Sequence, residues 1–246
     1  MNTETIRKLV QLNHQFYQSC AHSFSQTRQR VQPGVRRIIQ TYITPQPSGH
    51  ILDVGCGNGD FLPALAEAGF EGAYTGIDFS TALLSETHLP EIQFAVSFFE
   101  KDISTPGWTA DLPAGGFDLI CCFAVLHHIP SNDLRLNLLK SLASLLAPGG
   151  LLVTSMWQFQ RSIRLAKRIQ PWTGMDIDES QLDTGDYLLD WRGSDQPCPA
   201  LRYVHVYDEP EVHRLAVAAG GRIIESFTCD GREGNLADYY VWSFTD

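Results

Sequence analysis

The stretch ILDVGCGNGDF, Ile51 to Phe61, decides how the chain is read. HILDVG has the look of a short buried strand. Asp53 stands at its end, and Gly55, Gly57 and Gly59 follow at alternate positions. Glycine tolerates positive φ and lets a ligand approach the main chain closely. A dinucleotide-binding loop would read G-x-G-x-x-G. Here the third glycine comes one residue early and Asp60 takes the sixth place, which counts against NAD and against a dehydrogenase. The Gly-Lys-Ser/Thr of a Walker loop is absent, and an acidic residue ahead of the glycines suits a cationic ligand better than a pyrophosphate.

Outward from this loop, strand-like and helix-like runs alternate. GDFLPALAEAG, closed by Gly69, reads as a helix, AYTGID as a strand and STALLSETH as a helix. IQFAVSFFEKDI is a third strand region, and FDLICCF is a fourth strand. SNDLRLNLLKSLASLLAPGG is the clearest helix, capped by Ser131 or Asn132, with Leu134, Leu138, Leu142 and Leu145 in one stripe. LLVTSMW is a fifth strand. Such alternation predicts an α/β fold, a parallel sheet with helices on both faces. Ahead of it, residues 1–44 predict a helical cap, with an amphipathic first helix and a second starting at Pro33. The nucleotide-binding core runs over 49–157. Residues 158–207 break the alternation and predict a small inserted lobe, in which GDYLLDWR and LRYVHVYD could pair as a hairpin. Residues 208–246 supply a helix and two closing strands of the core sheet.

The 246 residues hold 18 Lys and Arg against 28 Asp and Glu, a formal net charge of -10. That acidity argues against broad nucleic-acid binding. The basic residues are nonetheless clustered. Arg7, Lys8, Arg28, Arg30, Arg36 and Arg37 face only Glu4 in the first forty positions, and Arg161, Arg164, Lys167 and Arg168 form a second group. Both groups are expected to make a basic rim at the mouth of the site. No Cys-x-x-Cys or His-x-x-x-His spacing occurs, so neither a disulfide framework nor a metal is expected. The N-terminus lacks a secretory pattern and no run is long enough to span a bilayer, so the expected location is cytoplasmic.

Two further carboxylates extend the glycine-loop motif. Asp78, in GIDFS, falls at the end of the second strand, about twenty residues on, where it can accept from both hydroxyls of a ribose. Asp102, in EKDIS, follows the third strand and could accept from an adenine amino group, with Ile103 on the ring. In order and spacing, DVGCGNG, GIDFS, EKDIS, AVLHHI and LAPGG resemble the class I S-adenosylmethionine-dependent methyltransferases over roughly Gly49 to Trp157. The resemblance implies a Rossmann-like seven-stranded sheet with the last strand antiparallel, and S-adenosyl-L-methionine as cofactor. Asp53 and the loop Gly55, Cys56, Gly57 and Gly59 would hold the methionine part, Asp78 and Phe79 the ribose side, and Asp102 and Ile103 the adenine. Phe123 would stand on the same sheet edge.

A second set of marks, AHSFSQTR, AVLHHI, VTSMW and RYVHVYDEPEV, looks like the tRNA wobble-uridine carboxymethyl methyltransferases. Members typically show Phe-Ser-x-Thr-Arg and Arg-Tyr-Tyr-His. Here these are Phe24 to Arg28 and Arg202-Tyr203-Val204-His205, with valine replacing the second tyrosine. That resemblance implies esterification of the carboxylate of 5-carboxymethyluridine in a tRNA anticodon loop, and eukaryotic members work with a small partner subunit. A carboxylate is already anionic near neutrality, so the demand on the enzyme is orientation. Arg28 and Arg202 are expected to orient the substrate carboxylate or a neighbouring phosphate, with Trp157 as a pocket wall and His127, Tyr203 and His205 lining the uracil pocket. Tyr203, His205 and Tyr207 share one strand face, a candidate surface for stacking bases. A small-molecule O-methyltransferase for a carboxylic acid, phenol or quinone precursor stands as the alternative, and a non-catalytic S-adenosylmethionine-binding protein as a third reading.

Overall fold

The structure, a computed structural model, describes residues 1–26, 30–87, 91–112, 116–191 and 200–244. β1 (His50–Val54) is buried from its second residue onward and lies between β2 (Ala73–Asp78) and β4 (Phe117–Phe123). β3 (Ala95–Glu100) forms one edge beyond β2. On the other side follow β5 (Leu146–Trp157), β10 (Ala237–Ser243) and β9 (Arg222–Cys229). The seven strands thus run in the order β3-β2-β1-β4-β5-β10-β9. Pairing is parallel from β3 through β5, while β10 is antiparallel to both its neighbours. This is the class I methyltransferase sheet expected from the sequence. β5 starts at Leu146, ahead of the LLVTSMW run, because Leu146 already pairs with Phe117 of β4, and the register shifts before Leu151 pairs with Leu119.

Helices cover both faces because the central strands are buried on both sides. One apolar layer joins Leu138 and Leu142 of α5 (Asn132–Leu145) and Val212 and Leu215 of α7 (Glu209–Ala218) to Leu52, Ile120 and Trp242. The opposite layer joins Val35 and Ile38 of α2 (Pro33–Ile38) and Leu62 and Leu65 of α3 (Leu62–Glu67) to Ile51, Cys121 and Val241. Ser131 is the cap used by α5, accepting from the Leu134 N–H at 3.3 Å. The helix begun at Pro33 ends in a π-turn over Ile39–Ile43. Cys20, Cys56, Cys121 and Cys122 are buried thiols within this packing.

Between β5 and α7 the chain builds a second, three-stranded antiparallel sheet: β6 (Ile169–Gln170), β7 (Asp186–Asp190) and β8 (Leu201–His205). The long α1 (Thr3–Gln26) packs across β8 and α4 (Thr81–Ser85). Asn13 fixes that crossing. Its Oδ1 accepts from the Tyr203 N–H at 2.8 Å, and its amide donates to the carbonyls of Tyr203 and His128 at 3.2 and 3.1 Å.

A buried charge network then ties the lobe to the core. Arg135 of α5 donates to the Ile129 carbonyl at 2.9 Å and to the Tyr203 hydroxyl at 2.7 Å. It also faces Asp186, Asp183 and Glu211 at 3.4, 3.3 and 3.5 Å. Asp186 accepts from the Tyr203 hydroxyl at 2.7 Å and pairs with His205 at 2.6 Å, and His205 reaches Glu211 at 3.0 Å. Burial works against a charged His205, but its bonds to Asp186 and Glu211 prevail and raise its pKa. Burial likewise opposes ionisation of Asp186, yet bonds from His205 and Tyr203 hold its pKa below the usual range. Removing one partner of such a network leaves buried charge uncompensated. Arg135→Met should therefore lower unfolding stability by about 3–5 kcal/mol, read as a drop in the urea midpoint. A loss below 1 kcal/mol would show that the Arg135 network contributes little to holding the lobe.

Candidate functional site

The site is built where β1, β2 and β3 end together. After Val54 the main chain turns through Gly55, Gly57 and Gly59 with φ of +71°, +57° and +78°. The N–H groups of Gly55 and Cys56 both donate to the Ile77 carbonyl, at 2.8 and 3.0 Å, so the loop is folded back onto β2. A side chain at Gly55 would collide with Val125, whereas a Cβ at Gly57 would meet nothing within 4 Å. Gly57 therefore presents open backbone to the cavity. Gly59 lines neither cavity described below; it turns the chain toward α3, with Leu62 and Thr87 against it.

The three aspartates differ in environment. Asp78 Oδ2 accepts from the Gly57 N–H at 2.9 Å and Oδ1 from the Ser80 N–H at 2.8 Å. An ionised carboxylate has about four lone-pair positions, so acceptor capacity remains for a ligand hydroxyl beside the backbone bonds from Gly57, Phe79 and Ser80. Burial raises its pKa against those bonds. Asp102 Oδ1 accepts from the Ser104 N–H and hydroxyl at 2.9 and 2.6 Å, and Oδ2 lies 3.5 Å from His14 Nε2. Burial disfavours its charge, but bonds from His14 and Ser104 outweigh that and lower its pKa. Asp53 is buried and accepts from the Tyr74 hydroxyl at 2.7 Å. Burial pushes its pKa up to about 7, the tyrosine opposing and the Asp78 charge adding.

Two adjoining cavities meet at Gly55, Gly57, Phe123 and Ala124. The first, of about 110 Å³, is lined by Asp78, Phe79, Asp102, Ile103 and Phe123, and by Val10, Asn13, His14 and Tyr17 of α1. The second, of about 380 Å³, is lined by Asp53, Cys56, His127, Trp157 and Arg202 among others. Arg202 is buried there in an aromatic cage: its guanidinium lies 5.1, 4.8 and 5.6 Å from the ring centres of Phe16, Trp157 and Trp191. His127 is buried, and its Nδ1 accepts from the Trp157 N–H at 3.3 Å.

Not every expected residue reaches this place. Tyr203 and His205 line neither of these two cavities; they are 0% and 1% exposed and belong to the Arg135 network. With Tyr207 at 4%, the expected base-stacking face is turned into the protein. The reason is electrostatic: the buried Arg135 draws the hydroxyl of Tyr203 and, through Asp186, the His205 ring. Arg28 lies outside the described residues. The expected basic rim is largely paired off, with Arg36 on Glu67, Arg37 on Glu225, Lys8 on Asp176 and Arg161 bidentate on Asp238. Arg30 and Arg164 of the expected rim do line the second cavity, whereas the α1 wall of the first cavity and Trp191 and Tyr239 in the second were not anticipated. The spacing of Val10, Asn13, His14 and Tyr17, one helix face with polar groups inside an apolar stripe, carried the signal for the first of these.

Among the described residues no group of three potential metal ligands occurs, and no helix is long and apolar enough to cross a membrane. The methyltransferase domain family matches residues 24–226. The chain belongs to that family. Its sheet is that of the S-adenosylmethionine-dependent class I members. The human probable tRNA methyltransferase 9B is 26% identical over 176 residues, 70% of this chain and 35% of the relative. The ubiquinone biosynthesis O-methyltransferase of Coxiella burnetii is 36% identical over 108 residues, 43% of this chain and 42% of the relative. The alignments thus span well under half the length of these curated relatives. The fold is also that of the Burkholderia thailandensis 1,6-didemethyltoxoflavin-N1-methyltransferase, with TM-score 0.65 and 18% identity over 100% of this chain and 93% of that one.

A carboxyl whose folded pKa is raised stabilises the fold below its unfolded pKa, and that stability is lost as pH rises through the folded value. For Asp53 the window runs from about 4 up to about 7. Asp53→Asn keeps an acceptor for Tyr74 without the charge. Without ligand, the variant should gain thermal stability over the parent at pH 8 and little at pH 4. Equal differences at both pH values would place the Asp53 titration elsewhere.

Proposed function

We propose that the chain is an S-adenosylmethionine-dependent O-methyltransferase whose acceptor is a carboxylate, that of 5-carboxymethyluridine at the wobble position of tRNA. The observation that carries the acceptor class is Arg202. A buried guanidinium on the cavity that adjoins the glycine loop favours an anion, and its fork matches a carboxylate with two hydrogen bonds. The aromatic cage holds the guanidinium in place by cation–π attraction.

The cofactor fits the residues present. Asp78 retains acceptor capacity for a ribose, Asp102 has an oxygen directed toward the ring of His14, and Gly57 leaves its backbone open. Asp53 lies on the side where a cationic amino group would lower its pKa and hold it ionised. S-adenosylmethionine supplies an electrophilic sulfonium methyl; transfer to a carboxylate oxygen forms a methyl ester and leaves S-adenosylhomocysteine. The nucleophile arrives already deprotonated, so the protein need place no general base. Its task is to hold one oxygen in line and exclude water, a contribution of about 7–11 kcal/mol in well-oriented systems. Trp157 and His127 form the wall beside Arg202 that does this.

The tRNA assignment draws support from the tRNA methyltransferase 9B similarity, which covers 70% of this chain, against 43% for the ubiquinone relative. A small-molecule acid is the second reading. Its support is the pairing of Arg36, Arg37, Lys8 and Arg161 with acidic partners, which reduces the charge available to phosphates.

The deciding experiment uses methyl-labelled S-adenosylmethionine and bulk tRNA from cells lacking wobble esterification. Label should enter the tRNA and leave as methanol on mild alkali. Label that survives alkali would mean methylation of another kind, and unlabelled tRNA with intact cofactor binding would favour a small acid. Arg202→Met should reduce kcat/KM by ~10–150-fold, the worth of a hydrogen bond to a charged group, with the dissociation constant of S-adenosylhomocysteine unchanged. Asp78→Ala should instead weaken S-adenosylhomocysteine binding by a comparable factor, measured by calorimetry. Unchanged affinity would refute the ribose role.

A further inference from the structure

Val10, Asn13, His14 and Tyr17 of α1 wall the smaller cavity, and three of them have structural explanations. Asn13 bonds β8, Tyr17 donates to or accepts from His128 Nε2 at 2.7 Å, and Val10 is partly buried. His14 is different. Its ring lies on Phe79, with centroids 4.3 Å apart and planes 20° from parallel. At the same time its Nε2 points to Asp102 Oδ2 at 3.5 Å. A flat ring stacked on Phe79 with an N–H directed at Asp102 is what an adenine would present there, through its face and its amino group.

We infer that His14 holds the place of the adenine ring in the ligand-free protein and must swing out before the cofactor can seat. This rests on the reading that the cavity takes the adenosyl part of S-adenosylmethionine. The size of the cavity agrees. The part that would take the adenosyl group measures about 110 Å³, small beside the roughly 300–1,000 Å³ of pockets for whole ligands even with the methionine part placed in the adjoining cavity of about 380 Å³. Something must move, and the bonds of Asn13 and Tyr17 fasten the helix itself. The His14 side chain is 29% exposed and so already reaches solvent, the direction in which a rotamer change would carry it.

Two consequences follow for binding. The contacts of Phe79 and Asp102 are satisfied without ligand, so a ligand gains only the difference between its own contacts and those of His14. A ligand lacking either the flat ring or the donor replaces fewer contacts than it breaks. His14 thereby acts as a specificity-determining residue for the adenosyl group as well as a gate.

The test is calorimetric titration of the full chain with S-adenosylhomocysteine. His14→Ala should bind about three- to tenfold tighter than the parent, the worth of one aromatic stacking pair. His14→Phe keeps the stack without the N–H and should fall between the two. In the parent, the His14 Cε1–H resonance, assigned by its loss in either variant, should leave its ring-shifted position over Phe79 as ligand is added. Weaker or equal binding by His14→Ala, or a His14 resonance that does not move, would overturn the inference while leaving the adenosyl site intact. If His14→Ala fails to fold, His14→Phe decides alone: tighter binding supports the inference, weaker or equal binding overturns it. No binding of S-adenosylhomocysteine by the parent would overturn the adenosyl reading of the cavity, and this inference with it.

Discussion

The bond from the Gly57 N–H to the Asp78 carboxylate joins two chain segments that the sheet alone would leave apart. β1 and β2 run parallel and in register, His50 beside Ala73 through Val54 beside Ile77, so both end at the same level. Beyond that level the glycine loop must bend back over β2, and positive φ at Gly55 and Gly57 makes the bend possible. The Ile77 carbonyl then takes two loop N–H groups and Asp78 takes a third. A carboxylate buried by this closure keeps its remaining lone pairs pointed at the cavity. Most of the cofactor-side chemistry depends on that fold-back: the open backbone at Gly57, the level of Asp53 on β1, and the meeting of the two cavities.

Charge is divided across that meeting point. Asp78 and Asp102 line the smaller cavity, and the larger one has Asp53 near the glycine loop and Arg202 in its aromatic cage. Burial has raised the pKa of Asp53 and Asp78, so the ligand-free site disfavours its own negative charge. A cationic ligand such as a sulfonium relieves that penalty, and the guanidinium of Arg202 stands on the wall of the adjoining cavity.

How much of this was legible in the sequence depends on how local each cause is. The glycine loop, Asp78 and Asp102 could be read because a strand-loop-helix turn has a fixed spacing, and parallel strands bring such turns to one edge. The same spacing argument misplaced Tyr203 and His205. Alternation along β8 correctly put them on one face, but it could not say which face meets Arg135, a residue 68 positions away from Tyr203. Arg135 itself looked like one more charge on a leucine-striped helix. His14 was hidden for the same reason: its partners Phe79 and Asp102 stand just after β2 and β3, and only the packing of α1 brings them under it. What escaped the sequence is thus the set of contacts made across elements distant in the chain.

The acidity of the chain takes a different meaning once the pairs are known. Arg36, Arg37, Lys8 and Arg161 serve as links between the helical cap, the lobe and the core, each to an acidic partner far along the chain. Exposed pairs of this kind contribute little individually, but they remove the cations from long-range attraction. Under the tRNA reading proposed above, recognition would rest on a few local contacts at the larger cavity, which Arg30, Arg164 and Arg202 line. Such a site would hold a nucleotide chiefly by its modified base and carboxylate. Its binding should depend less steeply on salt than that of a protein gripping many phosphates, since the slope scales with the number of phosphates neutralised.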